Sequence, residues 1–225
     1  MNELASKIDA TIYAPHAMSA AVHKIAADAM RLGVAGVFAP PVWTSRLATM
    51  LRGSGVRVGS LVAFPFGTNK PTLKAIEATS TIKDGADEIE VVGHLPHILS
   101  LDLDGARAEL IEIVRASRSA RRDIVIRIIV EMALLLRAGP DRAERMVEIG
   151  CRAARESGCD GIVTGTGLDH QENAATVDAV ALVKKYGEAL SIKAAVVNDA
   201  ATARSALAAG ADRVAVGDIA AILES

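Results

Sequence analysis

The sequence predicts a single (β/α)8 TIM barrel spanning residues 1–225, on three observations: its length, its aliphatic composition and a repeated helix–glycine–strand plan. The chain has 225 residues, 51% of them hydrophobic and only 3% aromatic, and one α/β barrel needs about 200–250 residues. Ala, Val, Ile and Leu, rather than rings, supply the apolar fraction. That composition suits parallel strands packed under helices. Four stretches then repeat one plan. Ala29-Met30-Arg31-Leu32-Gly33 leads into Val37-Phe38, and Ile82-Lys83-Asp84-Gly85-Ala86-Asp87 into Ile89-Glu90-Val91-Val92. Arg155-Glu156-Ser157-Gly158-Cys159-Asp160 leads into Ile162-Val163-Thr164, and Leu207-Ala208-Ala209-Gly210-Ala211-Asp212 into Val214-Ala215-Val216. Each glycine suits the left-handed end of a helix. The glycines lie 52, 73 and 52 residues apart, close to two, three and two βα units of about 30 residues each.

The remaining strands are expected at 7–13, 57–63, 124–131 and 190–195. Amphipathic helical patterns occupy 18–32, 43–52, 70–84, 104–118, 140–157, 172–187 and 200–209. Eight strands alternating with helices are the signature of a barrel. An open doubly wound sheet is disfavoured, because no Gly-x-Gly-x-x-Gly turn follows the first strand. No linker, charge run or low-complexity segment divides the chain, so one domain is expected.

Composition also excludes partners. The net charge is −2 and no Lys/Arg block occurs, so the electrostatic footprint of a nucleic-acid binder is missing. No run approaches the roughly 18 apolar residues of a membrane span. Glu3, Lys7 and Asp9 interrupt the first ten residues before a signal peptide's apolar core could form. A cytoplasmic protein is expected, with Cys151 and Cys159 as reduced thiols.

In such a barrel the chemistry sits at the C-terminal ends of the strands. There the sequence places Asp9 and Thr11, the run Phe64-Pro65-Phe66-Gly67-Thr68-Asn69-Lys70, Glu90 with His94 and His97, Arg127 with Glu131, Thr164-Gly165-Thr166-Gly167, and Lys193. Lys193 lies in an otherwise apolar strand, where an unpaired ammonium is costly to bury. Lys193, Glu90 and Glu131 inside one barrel would couple their titrations and could move protons. They are the expected catalytic residues, and a structural ion pair is the alternative.

Taken in order along the chain, these residues resemble the deoxyribose-phosphate aldolase family. Ile8-Asp9-Ala10-Thr11 is similar to its Ile-Asp-x-Thr, and Phe64-Pro65-Phe66-Gly67 followed by Lys74 and Glu77-Ala78 to its Phe-Pro-x-Gly…Lys…Glu-Ala. Gly85-Ala86-Asp87-Glu88-Ile89-Glu90-Val91-Val92, Ile129-Val130-Glu131, Ile192-Lys193-Ala194 and Gly210-Ala211-Asp212-Arg213 match further family segments. The resemblance implies aldol cleavage and condensation through an imine on a sixth-strand lysine, tuned by a seventh-strand lysine and a fourth-strand aspartate. Lys193 stands at the seventh-strand lysine and Glu90 at the aspartate. The imine position is Val163, and no lysine occurs between Lys83 and Lys184. Valine cannot form a Schiff base.

The family's phosphate-binding turns, Ser-Gly-Gly-Ile and Thr-Ser-Ser, are replaced by Ala195-Val196-Val197-Asn198-Asp199 and Val216-Gly217-Asp218. Asp199 and Asp218 would repel a phosphate, or they cap the following helices; both readings stay open. Asp9, Thr11, Lys70, His94, Arg127, Thr164, Thr166, Asn198 and Asp218 are the expected substrate-binding residues. Lys70 could hold a carboxylate or supply a relocated amine, or be a solvated lysine at a helix start. His94 and His97 with Glu90 or Glu131 suggest a metal only weakly, and no metal or cofactor is expected. The expected function is a divergent aldolase-like lyase acting on a small carbonyl compound, not through the usual imine lysine and on a substrate that need not be phosphorylated. A non-covalent isomerase, cyclase or dehydratase and a non-catalytic binding barrel are the alternatives. The resemblance suggests a homodimer or homotetramer.

Overall fold

A computed structural model describes residues 3–167 and 177–224 of the chain. Eight parallel strands close on themselves: β1 (Ile8–Thr11), β2 (Gly36–Ala39), β3 (Arg57–Val62), β4 (Glu88–Val92), β5 (Val125–Ile129), β6 (Gly161–Val163), β7 (Ser191–Val197) and β8 (Arg213–Val216). Each pairs with its sequence neighbours, and β8 returns to β1 through Asp9 opposite Ala215. The expected (β/α)8 barrel is therefore present, every strand near its expected place.

Helices α1 (Ser19–Leu32), α2 (Thr44–Met50), α3 (Pro71–Lys83), α5 (Leu103–Ala120), α7 (Pro140–Ser157), α8 (Val177–Gly187) and α9 (Ala200–Ala208) form the outer layer. They follow the amphipathic patterns, although the expected helical residues 172–176 lie outside the described residues. Three short helices were not expected: α4 (Leu95–Leu99), α6 (Met132–Leu136) and α10 (Ile219–Leu223). Five residues span little more than one turn, too few to show a helical period. α1 and α7 end on Gly33 and Gly158 in the left-handed conformation, at φ 68° and 83°, as their Ala-rich ends predict.

Alternation along each strand separates two cores. Outward residues such as Ile8, Val37, Ile89, Ile126, Ile162 and Val214 pack under the helices in one continuous apolar cluster. Inward residues fill the barrel in layers. Near its N-terminal and middle levels these are Asp9, Phe38, Glu88, Glu90, Arg127, Lys193 and Arg213, all buried. At the next inward level stand Val92, Ile129, Val163, Ala195 and Ala215, which form a separate apolar cluster with Phe64 packed against it. The barrel thus carries a charged interior beneath an apolar ring.

Two cysteines, Cys151 and Cys159, are free and buried, and burial pushes both thiols up to about 12. Among the described residues no helix is long and apolar enough to cross a membrane.

Phe38 lies inside the barrel only because its neighbour in register, Gly59, has no side chain. A Cβ on Gly59 would stand 2.1 Å from the Phe38 ring. Gly59→Ala is expected to destabilise the barrel by about 1–3 kcal/mol, the range for overpacked cores. Urea unfolding measures this directly, and an unchanged midpoint would show that the ring moves freely.

Candidate active site

Lys193 has no exposed surface, and its ammonium lies inside the barrel among side chains of other strands. Nζ stands 2.5 Å from Glu90 Oε1 and 2.9 Å from Asp9 Oδ2. It also sits 3.3 Å above the centroid of the Phe38 ring, whose face attracts a cation. β7 supplies the lysine, β4 the glutamate and β1 the aspartate, so one side chain ties together three strands, no two of them adjacent.

The network continues toward the N-terminal end of the barrel. Arg213 pairs with Asp9 and reaches to 3.7 Å from Glu88. Arg127 pairs with Glu88 and donates to Ser191 Oγ at 3.3 Å. Arg57, 48% exposed, closes the column at 2.8 Å from Glu88. Three buried carboxylates therefore face three buried cations, with Arg57 at the solvent edge.

Burial acts on both carboxylates beside Lys193, with opposite outcomes. Burial raises Asp9, but Lys193 and Arg213 together outweigh it and hold its carboxyl below the usual range. At Glu90 burial prevails over the attraction of Lys193 and Arg127, and the pKa rises. Direct contact explains the difference: Asp9 touches two cations, Glu90 only one. Arg127 is held charged by Glu88 and Glu90 against the effect of burial. Of the three groups that meet at Lys193 Nζ, Glu90 retains slight exposure, 3%, whereas Lys193 and Asp9 have none.

The structure brings together Lys193 and Glu90, as expected from the sequence, but not Glu131. β5 ends at Ile129, so the alternation that would turn residue 131 inward stops there. Glu131 instead precedes α6 without capping it and accepts the Thr166 N–H at 3.0 Å. Arg127 and Asp9, expected among the substrate-binding residues, belong to the buried column beneath the apolar ring. Thr11 and Thr164 are buried at the strand ends, and Thr164 Oγ1 accepts the Ala195 N–H at 2.9 Å. Thr166 is buried, whereas Asn198 and Lys70 are exposed, Lys70 directly before α3.

His94 precedes α4 and meets His97 edge-on at 4.9 Å. His97 is occupied by Asp102 at 2.8 Å, and among the described residues no three metal-ligating side chains converge. Asp199 accepts the Thr202 N–H at 2.7 Å, and Asp218 the Ala221 N–H at 3.2 Å. Both aspartates are therefore N-caps, of α9 and α10.

Sequence reasoning did not single out Glu88, Phe38 or Arg213 as members of the site. The available signal was alternation: each stands an even number of residues from an inward neighbour on its strand. A second buried pair lies behind β4. Lys74 donates to Val92 O at 2.7 Å and pairs with Glu109 at 2.5 Å, while Glu109 accepts the His94 N–H at 3.0 Å. It anchors the end of the strand that carries Glu90.

Removing the central cation should be costly. Lys193→Met leaves Asp9 and Glu90 buried without it, and a loss of about 3–5 kcal/mol is expected in urea unfolding. The two carboxylates also give opposite pH dependences. Asp9, with its folded pKa lowered, contributes stability above 3.8 that is lost as pH falls. Glu90, with its folded pKa raised, contributes stability that is full below 4.5 and is lost as pH rises through the folded value. The stability difference between the native chain and Glu90→Gln should therefore shift toward the variant as pH increases from 4.5. A shift in the other direction would refute the assignment.

Comparison with known proteins places this geometry. No family model matches the chain. The deoxyribose-phosphate aldolase of Mycobacterium tuberculosis is 35% identical over 224 residues, covering 99% of this chain and 95% of the relative. That of Mycobacterium avium is 36% identical, covering 99% and 96%. Among solved structures, an aldolase designated QR15 superposes with a TM-score of 0.87 at 27% identity, covering 100% of this chain and 96% of that one. The deoxyribose phosphate aldolase of Aeropyrum pernix, described as a tetramer, also superposes at 0.87, with 25% identity and 99% and 90% coverage. A shared fold and this level of identity along nearly the whole chain lead to one conclusion: the protein belongs to the deoxyribose-phosphate aldolase family of aldolase-type carbon–carbon lyases.

Proposed function

We propose that this barrel cleaves and forms aldol bonds in a small, non-phosphorylated carbonyl substrate by proton transfer, without an imine at the sixth strand. The observation that carries this reading is Val163. It stands at the imine position, buried in the apolar ring with Val92, Ile129, Ala195 and Ala215. The lysine left in the site, Lys193, is held by two carboxylates and an aromatic face. An amine so engaged serves as a fixed positive charge rather than a nucleophile.

Glu90 is then the proton carrier. Its pKa, raised by burial, and its slight exposure suit it to exchange protons. In cleavage, a carboxylate takes the proton of the β-hydroxyl as the C–C bond breaks. The electron pair passes to the α-carbon as an enolate, which is protonated to give the second carbonyl product. Glu131, anchored at the mouth by the Thr166 N–H, is the second carboxylate available. Lys193 positions Glu90, and Thr11, Thr164, Thr166, Asn198, Lys70 and His94 are the polar groups proposed to meet substrate.

The absence of a phosphate from the substrate rests on Asp199 and Asp218. A helix N-terminus binds anions through its free N–H groups, and here each aspartate places its own carboxylate on those groups after β7 and β8. A dianion there would meet negative charge instead. The tetrameric Aeropyrum relative supports assembly as a homodimer or homotetramer of one-domain chains. The free, buried cysteines fit a cytoplasmic setting.

Turnover of β-hydroxy aldehydes and ketones, with borohydride present in parallel, tests the reading. Cleavage without a reduced adduct is expected, with a loss of about 100-fold or more in kcat for Glu90→Gln. An adduct on Lys193 or Lys70 would overturn the non-imine mechanism. Isomerised or dehydrated products would assign the same residues to enolisation, and binding without any turnover would make this a binding barrel. Val163→Lys adds a fourth cation beside three carboxylates, which favours the neutral amine. That variant, unlike the native chain, should be trapped by borohydride with acetaldehyde.

A further inference from the structure

We infer that the substrate's non-reacting end is apolar, an alkyl or aryl group, and that it lies in the cavity between the first and last βα units. This inference rests on the proposed aldol reading for the position of the carbonyl. The cavity has a volume of about 600 Å³ and opens beside the barrel mouth, where Thr11 and Tyr13 line it from the end of β1 and Gly217 and Asp218 from the end of β8. Its size falls in the range of small-molecule sites, about 300–1,000 Å³.

Continuity with the mouth comes from two rings. Tyr13 stacks on Phe64 with centroids 5.9 Å apart, and Phe64 packs against the apolar ring that holds Val163. A ligand whose carbonyl meets Glu90 would therefore pass along an aromatic wall into the cavity. Beyond it the surface is set by Ala17, Met18, Ala21 and Ile25. Met18 is 75% exposed at the start of α1.

Charge separates an apolar end from an anionic one. Lys24 is the one Lys or Arg among the described lining residues, and Asp28 holds it at 2.8 Å. Asp28 also pairs with Arg31 at 3.1 Å. Asp218, a lining residue, is committed to the α10 N-terminus. His16 and Tyr13 are the remaining titratable groups on the wall. Two carboxylates and one paired lysine offer no seat to a phosphate, whereas the alanines, Met18 and Ile25 offer one to a hydrocarbon group.

Two unreactive probes test this by calorimetry: 4-phenylbutan-2-one, a ketone with an aryl end, and glycerol 3-phosphate. The native chain is expected to bind the ketone and not the phosphate. Ala21→Trp, on the exposed side of α1 where it can fold without repacking the core, should fill the cavity and weaken ketone binding tenfold or more. Met18→Lys should weaken it as well. Neither variant should alter turnover of a short aldol without a tail. Equal ketone affinity in Ala21→Trp, or phosphate binding by the native chain, would overturn the inference. Ketone binding lost in Ala21→Trp, alongside a native chain that cleaves no aldol, would uphold the apolar site and reject only the reaction.

Discussion

The ion pair of Lys193 with Glu90 and Asp9 is the constraint on which the rest of the barrel depends. β7, β4 and β1 are not neighbours, so these side chains bridge the barrel across its axis rather than along its wall. Burying a charge demands a partner of opposite sign within reach. Satisfying Lys193 therefore brings Asp9 inward, Asp9 brings Arg213, and Glu88 with Arg127 completes the set. Phe38 fits against the ammonium because Gly59 leaves the space for its ring. A polar column of this kind replaces the branched aliphatic layers that ordinarily fill a barrel.

The apolar ring above the column follows from the same alternation. Val92 stands two residues beyond Glu90, Ile129 beyond Arg127, Ala195 beyond Lys193 and Ala215 beyond Arg213. A lysine in place of Val163 would join this ring from the remaining side and reach down toward the column. With valine there, the charges below number three of each sign. The two helix N-termini after β7 and β8 are each closed by an aspartate of their own.

Strand positions were readable from the sequence because outward faces of parallel strands are unbroken β-branched runs and Gly33 and Gly158 mark helix ends. Lys193 and Glu90 were readable because a charge in such a run is conspicuous. Glu131 was misplaced because alternation holds only while the strand lasts, and the end of β5 at Ile129 is set by the Met132 N–H turning to the Thr164 carbonyl. Glu88 and Arg213 were missed as site members for the complementary reason. Their partners lie on other strands, and register across a closed barrel is not written in any one segment. The pairing of Lys74 with Glu109 is equally non-local, joining α3 to α5 beneath the end of β4.

Glutamate at position 90, where the resemblance puts an aspartate, gains a physical meaning from this arrangement. Glutamate is longer by one methylene, and here it spans the axis to touch Lys193 at 2.5 Å. Without a lysine at position 163, no second amine competes for that carboxylate. Glu90 then has one cationic partner instead of two, so burial outweighs attraction and its pKa rises. Asp9, held between Lys193 and Arg213, moves the opposite way. Two carboxylates on one lysine are thus set apart by the number of cations each one touches.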